Sequence, residues 1–351
     1  MDPLRCAMSV CDSQIYREQI RALAEELPEK ECTVLVTGAT GMIGSSIVDA
    51  FLCADEELGG RYHVVALGRN EAKLKSRFAY ADPQFLSFAV QDVVVPLRID
   101  RPIDYIIHAA SNADPVAYSL YPAETMLTNI YGANNMLEYC REHKETRLLV
   151  TSTFETYGKI EGKDCYSETD SGEIDLNQIR SCYPESKRCT EILMRCYHQE
   201  YGLDCVIARL CSVYGPTMSK NDSKAHAQFI RNGIAGEDIV LKSEGLQKRT
   251  YAYVMDVISG ILAVLFRGQS GEAYNISNEA SVATIAEVAR TVANICGTQV
   301  RYDLPSEVER RGFSRPQNCV LDNGKLKALG WQGKYPLEAG LRATIDILRS
   351  A

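Results

Sequence analysis

The sequence predicts an α/β fold, a doubly wound parallel sheet with a smaller C-terminal domain closing over its carboxyl edge. Three observations carry this. Short apolar runs rich in Val and Ile recur along the chain, helical segments fall between most of them, and a glycine turn follows the first. The runs are TVLVTG (33–38), HVVALG (63–68), FLSFAV (85–90), YIIHAA (105–110), RLLVTS (147–152), DCVIARL (204–210) and AYNIS (273–277). Continuous apolar runs of this length suit parallel strands covered on both faces. Alternation with helices makes the sheet doubly wound.

In chain order, SQIYREQIRALAEEL (13–27) has helical spacing and meets Pro28, so it reads as a leading helix outside the main fold. The first strand runs into VTGATGMIGSS, which holds Gly38, Gly41 and Gly44 as GxxGxxG ahead of the helical pattern SSIVDAFLCA. A tight turn, and backbone N–H groups brought close to a pyrophosphate, both require missing side chains. A chance glycine loop is the plainer reading; its place after strand one and before a helix points to a dinucleotide. At the end of the second strand, an acid would bind a ribose 2′-hydroxyl and an arginine would accommodate a 2′-phosphate. Gly68-Arg69-Asn70 offers no acid, so NADP+ stands beside NAD+, although Arg69 also suits a solvated helix start. Asp92, after the third strand, is a candidate for the adenine amino group. Beyond residue 211 the rhythm loosens into the loop YGPTMSKNDSK (214–224), and from 280 onward the pattern is mostly helical with Gly and Pro breaks.

A chain of 351 residues accommodates about two domains. Its 46% apolar and 24% charged residues are ordinary for a soluble protein, and a net charge of -8 gives no reason to expect a nucleic acid. No apolar stretch approaches the roughly 20 residues that span a bilayer, and the N-terminus lacks the apolar core of a signal peptide. No membrane partner is expected, and the cytoplasm is the expected compartment. The 13 cysteines are odd in number and form no CxxC pair, and the five histidines lie far apart, so no metal site is expected. Cys182, Cys189 and Cys196, spaced by seven, read as small apolar residues in a packed helix seam.

The segment CYPESKRCTEILMRCYHQEYG opens a helix, with Pro184 suited to its first turn. Tyr183 and Lys187, four apart, share a face. A free tyrosine, with a pKa of about 10, is a poor base at neutral pH. A nearby ammonium and a cationic nicotinamide ring both favour the phenolate, which takes a proton from an alcohol while hydride leaves its carbon. A Tyr-x-x-x-Lys pair alone is common on helices. Here it follows a glycine loop and a strand ending in Ser152-Thr153, within TSTFETYG (151–158).

Taken in order, TGATGMIG, HAAS, TNIYGANNML, TSTFETYG, YPESK, ARLCSVYGP and KRTYAYVMD resemble the extended short-chain dehydrogenase/reductases of the nucleotide-sugar epimerase/dehydratase/decarboxylase group, from about residue 32 to the end. The resemblance implies a Rossmann domain over 31–211 and 251–279, a nucleotide-sugar domain over 212–250 and 280–351, and a helical extension over 1–30. It implies Thr153, Tyr183 and Lys187 as the catalytic trio and Asn129 as a support. A tightly bound, recycled NAD+ or NADP+ would meet Gly38, Thr40, Gly41, Met42, Ile43, Gly44, Ala109 and Ala110. The nucleotide sugar would meet Ser111, Ser212, Lys224 and Arg249, with Arg249 on the diphosphate. Helices near 116–140 and 183–200 would build the four-helix interface of a homodimer. One departure stands out: the family's Arg-x-x-Asn reads Arg209-Leu-Cys-Ser212, a shorter hydroxyl replacing the amide.

In this group a tyrosine removes the proton of the sugar's 4-hydroxyl, and the 4-keto sugar then follows one of several routes. The 4,6-dehydratases carry an aspartate where this chain has Phe154, and phenylalanine donates no proton. UDP-glucuronate decarboxylases carry a glutamate at the place of Glu155 and need no leaving-group acid. Arg315-Pro316 resembles their Arg-Lys-Pro, whose arginine works at the sugar end. For Glu155 and Arg315 ordinary solvation is the plainer alternative. The leading expectation is decarboxylation of a nucleotide-linked hexuronate such as UDP-glucuronate. The alternatives are a 4-epimerase, a 4,6-dehydratase, an NADPH-consuming ketosugar reductase motivated by Arg69, and a non-enzymatic cofactor sensor, against which the intact trio argues.

Overall fold

The computed structural model describes residues 10–59, 61–304 and 318–351. Each of the seven apolar runs forms a strand: β1 (Cys32–Thr37), β2 (Tyr62–Gly68), β3 (Leu86–Val90), β4 (Tyr105–His108), β5 (Arg147–Thr153), β6 (Cys205–Leu210) and β7 (Ala273–Ile276). They make one parallel sheet in the order β7-β6-β5-β4-β1-β2-β3. The order reverses between β1 and β4, and open α/β sheets bind ligands beyond the carboxyl ends of the strands at such a point.

Alternate residues explain the cover on both faces. Val34 and Val36 pack with α2 (Met42–Leu58) in one core, while Leu35 joins Met136 and Met194 in the other. Those methionines belong to α4 (Pro122–Glu142) and α5 (Cys182–Tyr201), which follow the short α3 (Pro115–Leu120). The second core also takes Val65 and Leu67 of β2.

Register sets which groups reach the crevice. Thr37 pairs with His108, and His108 with Val150, so β1 and β4 stop level with one another. β5 runs on to Thr153, opposite Leu210 of β6. Thr37 Oγ1 meets His108 Nδ1 at 2.8 Å and accepts from the Ala110 N–H at 3.2 Å. Burial, together with the nearby Lys187, pushes the His108 imidazole down to about 3, so it is neutral in the fold.

The leading helix corrects the sequence reading. α1 (Gln14–Ala24) does not stand outside the fold: Tyr16, Ile20, Leu23 and Ala24 are buried in the main core against α2 and α6 (Val254–Arg267). The reason is its apolar face, on which fully buried residues such as Ile20 and Leu23 each contribute about 1.5–3 kcal/mol. Tyr16 donates to Asp49 at 2.5 Å, and Tyr253 donates to Gln19 at 2.6 Å. The cysteine seam is also corrected in part. Cys182 is buried, but Cys189 and Cys196 are exposed on the outer side of α5.

Beyond β6 the chain builds a three-stranded sheet from Ser212–Tyr214, Lys248–Tyr253 and Val282–Thr284. Helices Ala225–Ile234, Ile285–Cys296 and Leu337–Ser350 accompany it, the second opened by a capping box between Thr284 and Glu287. Ser223 donates to Asp114 through its backbone N–H and its hydroxyl, at 2.9 and 3.0 Å, which ties the 214–224 loop over the sheet's carboxyl edge. Among the described residues no helix is long and apolar enough to cross a membrane.

Candidate active site

The glycine turn is built by backbone contact. Gly38 has φ +67°, and a Cβ there would lie 2.9 Å from the backbone of Ala110. A Cβ on Gly44 would lie 2.4 Å from the Gly38 carbonyl, so the turn and the start of α2 are packed together without room for side chains. α2 is preceded by Gly41 at its N-cap, with no side-chain cap, and the first-turn N–H groups of a helix have no partner inside it. That arrangement suits a phosphate. Met42 and Ile43 carry the same turn into a cavity of ≈ 330 Å³.

That cavity brings together Met42, Ile43, Thr153, Glu155, Tyr183, Ser212, Lys224 and Arg249. Gly38, Thr40, Gly41, Gly44, Ala109, Ala110, Ser111, Asn129 and Lys187 lie outside its lining, and Thr40 is exposed on the turn. Arg69 and Asp92 form a separate group. The Arg69 guanidinium sits 3.6 Å from Asp92 and 3.4 Å from Glu124. Arg315 lies outside the described residues.

Thr153 ends β5, and its side chain caps the turn Phe154–Tyr157 by accepting from the Glu155 N–H at 3.3 Å. Tyr183 arrives from the first turn of α5 and hydrogen-bonds Thr153. Burial first, then the Glu155 carboxylate, raises the Tyr183 phenol above its ordinary value, while Thr153 and Arg180 pull it down. Lys187, one turn along α5, donates to the Thr151 carbonyl at 2.9 Å, and burial lowers it to about 8 against an opposing pull from Glu191. Asn129 donates to Ser186 and accepts from Ser111, both at 2.8 Å, which joins α4 and α5 to the segment after β4.

Behind the strand ends Arg209 holds Glu191 through two nitrogens, the shortest contact 2.6 Å, and also reaches the Tyr157 hydroxyl at 3.0 Å. Ser152 donates to the same glutamate at 2.5 Å. This buried network fastens α5 to β5 and β6, and so places Tyr183 beside Thr153.

Four features were not singled out from the sequence. Arg180 pairs with Glu155 at 2.8 Å, and its guanidinium lies 5.4 Å from the Tyr118 ring. Tyr118 stacks on Tyr183 with ring centres 5.2 Å apart. Phe154 answers Arg249, whose guanidinium stands 5.7 Å from its ring centre. His226 lines the cavity and is held down to about 4, chiefly by burial. Arg180 and Tyr118 fall within RSCYPESKR and SNADPVAY, 62 residues apart, and spacing alone does not bring them together. Arg249 Nε is buried without an acceptor among the described residues, and Lys224 is held by Asp222 at 3.2 Å.

A sequence profile for the NAD dependent epimerase/dehydratase family matches residues 34–277. The chain is 32% identical over 314 residues to UDP-glucuronic acid decarboxylase 6 of Arabidopsis thaliana, covering 88% of this chain and 86% of that protein. Among solved structures it resembles the dTDP-glucose 4,6-dehydratase DesIV of Streptomyces venezuelae with NAD bound, at TM-score 0.75 and 27% identity over 90% of this chain and 97% of that one. It also resembles the UDP-glucuronic acid 4-epimerase of Bacillus cereus in complex with UDP-glucuronic acid and NAD, at TM-score 0.74 and 25% identity over 90% and 98%.

Proposed function

Because this chain belongs to the NAD dependent epimerase/dehydratase family and is an NAD-dependent enzyme of nucleotide sugars, we propose that it decarboxylates a nucleotide-linked hexuronate, UDP-glucuronate first among them. The observation that carries this is Phe154-Glu155 in the cavity beside Tyr183: a glutamate is at hand, and the leaving-group acid of a dehydratase is replaced by an aromatic ring.

The residues fit the cofactor. The uncapped start of α2, with Gly38, Gly41, Met42, Ile43 and Gly44, would hold the pyrophosphate. Asp92 would meet the adenosine end. Pairing of Arg69 with two carboxylates supports NAD over NADP, since a 2′-phosphate would have to displace them. When bound, NAD supplies an acceptor for the C4 hydride and later its donor, so none is consumed.

Tyr183 takes the proton of the 4-hydroxyl, and Thr153 fixes the oxygens of both by hydrogen bonding. The product is a ketone β to the carboxylate. The C5–C6 bond breaks, its electron pair passes into the C4 carbonyl as an enolate, and carbon dioxide leaves. A proton drawn from water, with Glu155 as its relay, forms the C5–H bond and restores the C4 ketone; hydride then returns to C4 as Tyr183 gives its proton back to the C4 oxygen. Arg249, with its unsatisfied Nε, would take the diphosphate, and Ser212 and Lys224 would complete the sugar site.

We assign residues 31–211 with 251–279 to the cofactor and 212–250 with 280–351 to the nucleotide sugar. The exposed Leu127, Tyr131 and Ile192 on α4 and α5 support pairing of two chains through these helices.

Incubation of the purified protein with NAD and UDP-glucuronate labelled at the carboxylate tests the reading. Release of labelled carbon dioxide without accumulation of NADH is expected, and retention of the label on the sugar overturns it. Likeness to the Bacillus cereus enzyme supports 4-epimerisation as the second reading, which predicts a product of unchanged mass.

A further inference from the structure

The proposed reaction gives Tyr183 and Glu155 separate tasks within one small cavity. Their charges oppose each other: a carboxylate beside a phenol disfavours the phenolate. The structure supplies a third group beside them. Arg180 lies on the short turn Ile179–Ser181 that leads directly into α5. One nitrogen of its guanidinium holds Glu155 Oε2 at 2.8 Å, and the other lies 3.4 Å from the Tyr118 hydroxyl. The same guanidinium rests against the Tyr118 ring, which lies nearly parallel to Tyr183, the two rings inclined by 18°. Arg180, Tyr118 and Tyr183 therefore form a layered stack with Glu155 clamped at its edge.

We propose that Arg180 is a positioning residue for the base: it neutralises Glu155 where that carboxylate faces Tyr183, holds the ring stack in place, and so sets the pH at which Tyr183 accepts the sugar's proton.

This rests on the reading that Tyr183 is the base. The geometry is that of a regulator of charge more than of a structural brace. The Arg180 side chain is 55% exposed, while Glu155 beneath it is 18% exposed, so the pair closes over the carboxylate from the solvent side. Charged and titratable groups face Tyr183 from several elements, and Lys224, His226 and Arg249 line the same cavity. Glu155 comes from the turn after β5, Tyr118 from α3 and Arg180 from the turn before α5; Lys187, one turn along α5, is engaged with the Thr151 carbonyl. Glu155 and Tyr118 push the phenol's ionisation toward higher pH, and Arg180 pulls it back. Removing Arg180 therefore acts twice in one direction, by deleting a cation and by unmasking an anion.

The test measures formation of NADH in a single turnover of NAD-loaded enzyme, against pH, with the nucleotide sugar that is turned over. In wild type the rate rises with pH as Tyr183 becomes ionised. Arg180→Met is expected to move the midpoint upward, costing about tenfold at neutral pH for each unit of movement, with recovery at alkaline pH. Arg180→Lys should restore most of the wild-type profile. Glu155→Gln should move the midpoint downward, and in that background Arg180→Met should shift it less. An unchanged midpoint in Arg180→Met, or an equal shift with and without Glu155, overturns the proposal, and so does a loss that no pH recovers. Wild-type activity in Tyr183→Phe overturns the reading of the base instead, so the two failures are distinguishable. NMR of tyrosines labelled at Cζ, with the Tyr183 signal identified by its loss in Tyr183→Phe, reads the same shift without turnover.

Discussion

Two arginine–glutamate pairs hold the elements that carry Tyr183 and Thr153, and they differ in nearly everything but chemistry. Arg209 and Glu191 are buried behind the strand ends, 10% and 6% exposed, with Ser152 and Tyr157 completing their hydrogen bonds. Arg180 and Glu155 sit at the mouth of the cavity, and the arginine is more than half exposed. A buried pair is costly to break, because the survivor is left charged without water or partner. An open pair exchanges its partners for water at little cost. One motif therefore serves as a fastening where water is absent and as an adjustable group where water reaches it.

The largest expected effect breaks the fastening. Arg209→Met should destabilise the fold by about 3–5 kcal/mol in urea titration, since Glu191 would remain buried and unpaired. Replacing both partners with apolar residues should return much of that loss. At the open pair, Glu155→Gln should lower overall turnover by about 10²-fold or more while stability changes by only about 0–1 kcal/mol. Comparable effects of the two substitutions on unfolding would erase the distinction. A smaller effect is expected at Phe154. Its leucine variant loses a cation–π contact of about 0.5–1 kcal/mol with Arg249, so UDP should bind about two- to fivefold more weakly by calorimetry. Unchanged binding would separate Phe154 from the diphosphate end.

The fold was largely legible, and the site only in outline. All seven strands could be found because a buried parallel strand leaves its mark in a single short segment. The glycine turn and the Tyr183–Lys187 pair are likewise local. The docking of α1 was not, because an amphipathic helix shows that it has a buried face but not which surface receives it. Arg209 and Glu191 lie on a strand and a helix, and only the register of β5 and β6 brings Ser152 alongside them. The Arg180–Tyr118–Tyr183 stack depends on α3 reaching the start of α5 across 62 residues of chain, a contact that no periodicity announces. The spacing of Tyr183 and Lys187 likewise does not announce the Thr151 carbonyl that receives the Lys187 ammonium.

The imidazole between β1 and β4 gives the protein a built-in acid lability. His108 stays neutral in the fold down to about 3, whereas in an unfolded chain it takes up a proton below about 6.5. Across that window the unfolded state binds the extra proton, so stability falls as the solution is acidified. His226, neutral down to about 4, adds to the same slope. Acid thus acts on the middle of the sheet, at the strand ends that shape the glycine turn, and unfolding curves recorded from neutral pH down to the lower end of the window should show that decline.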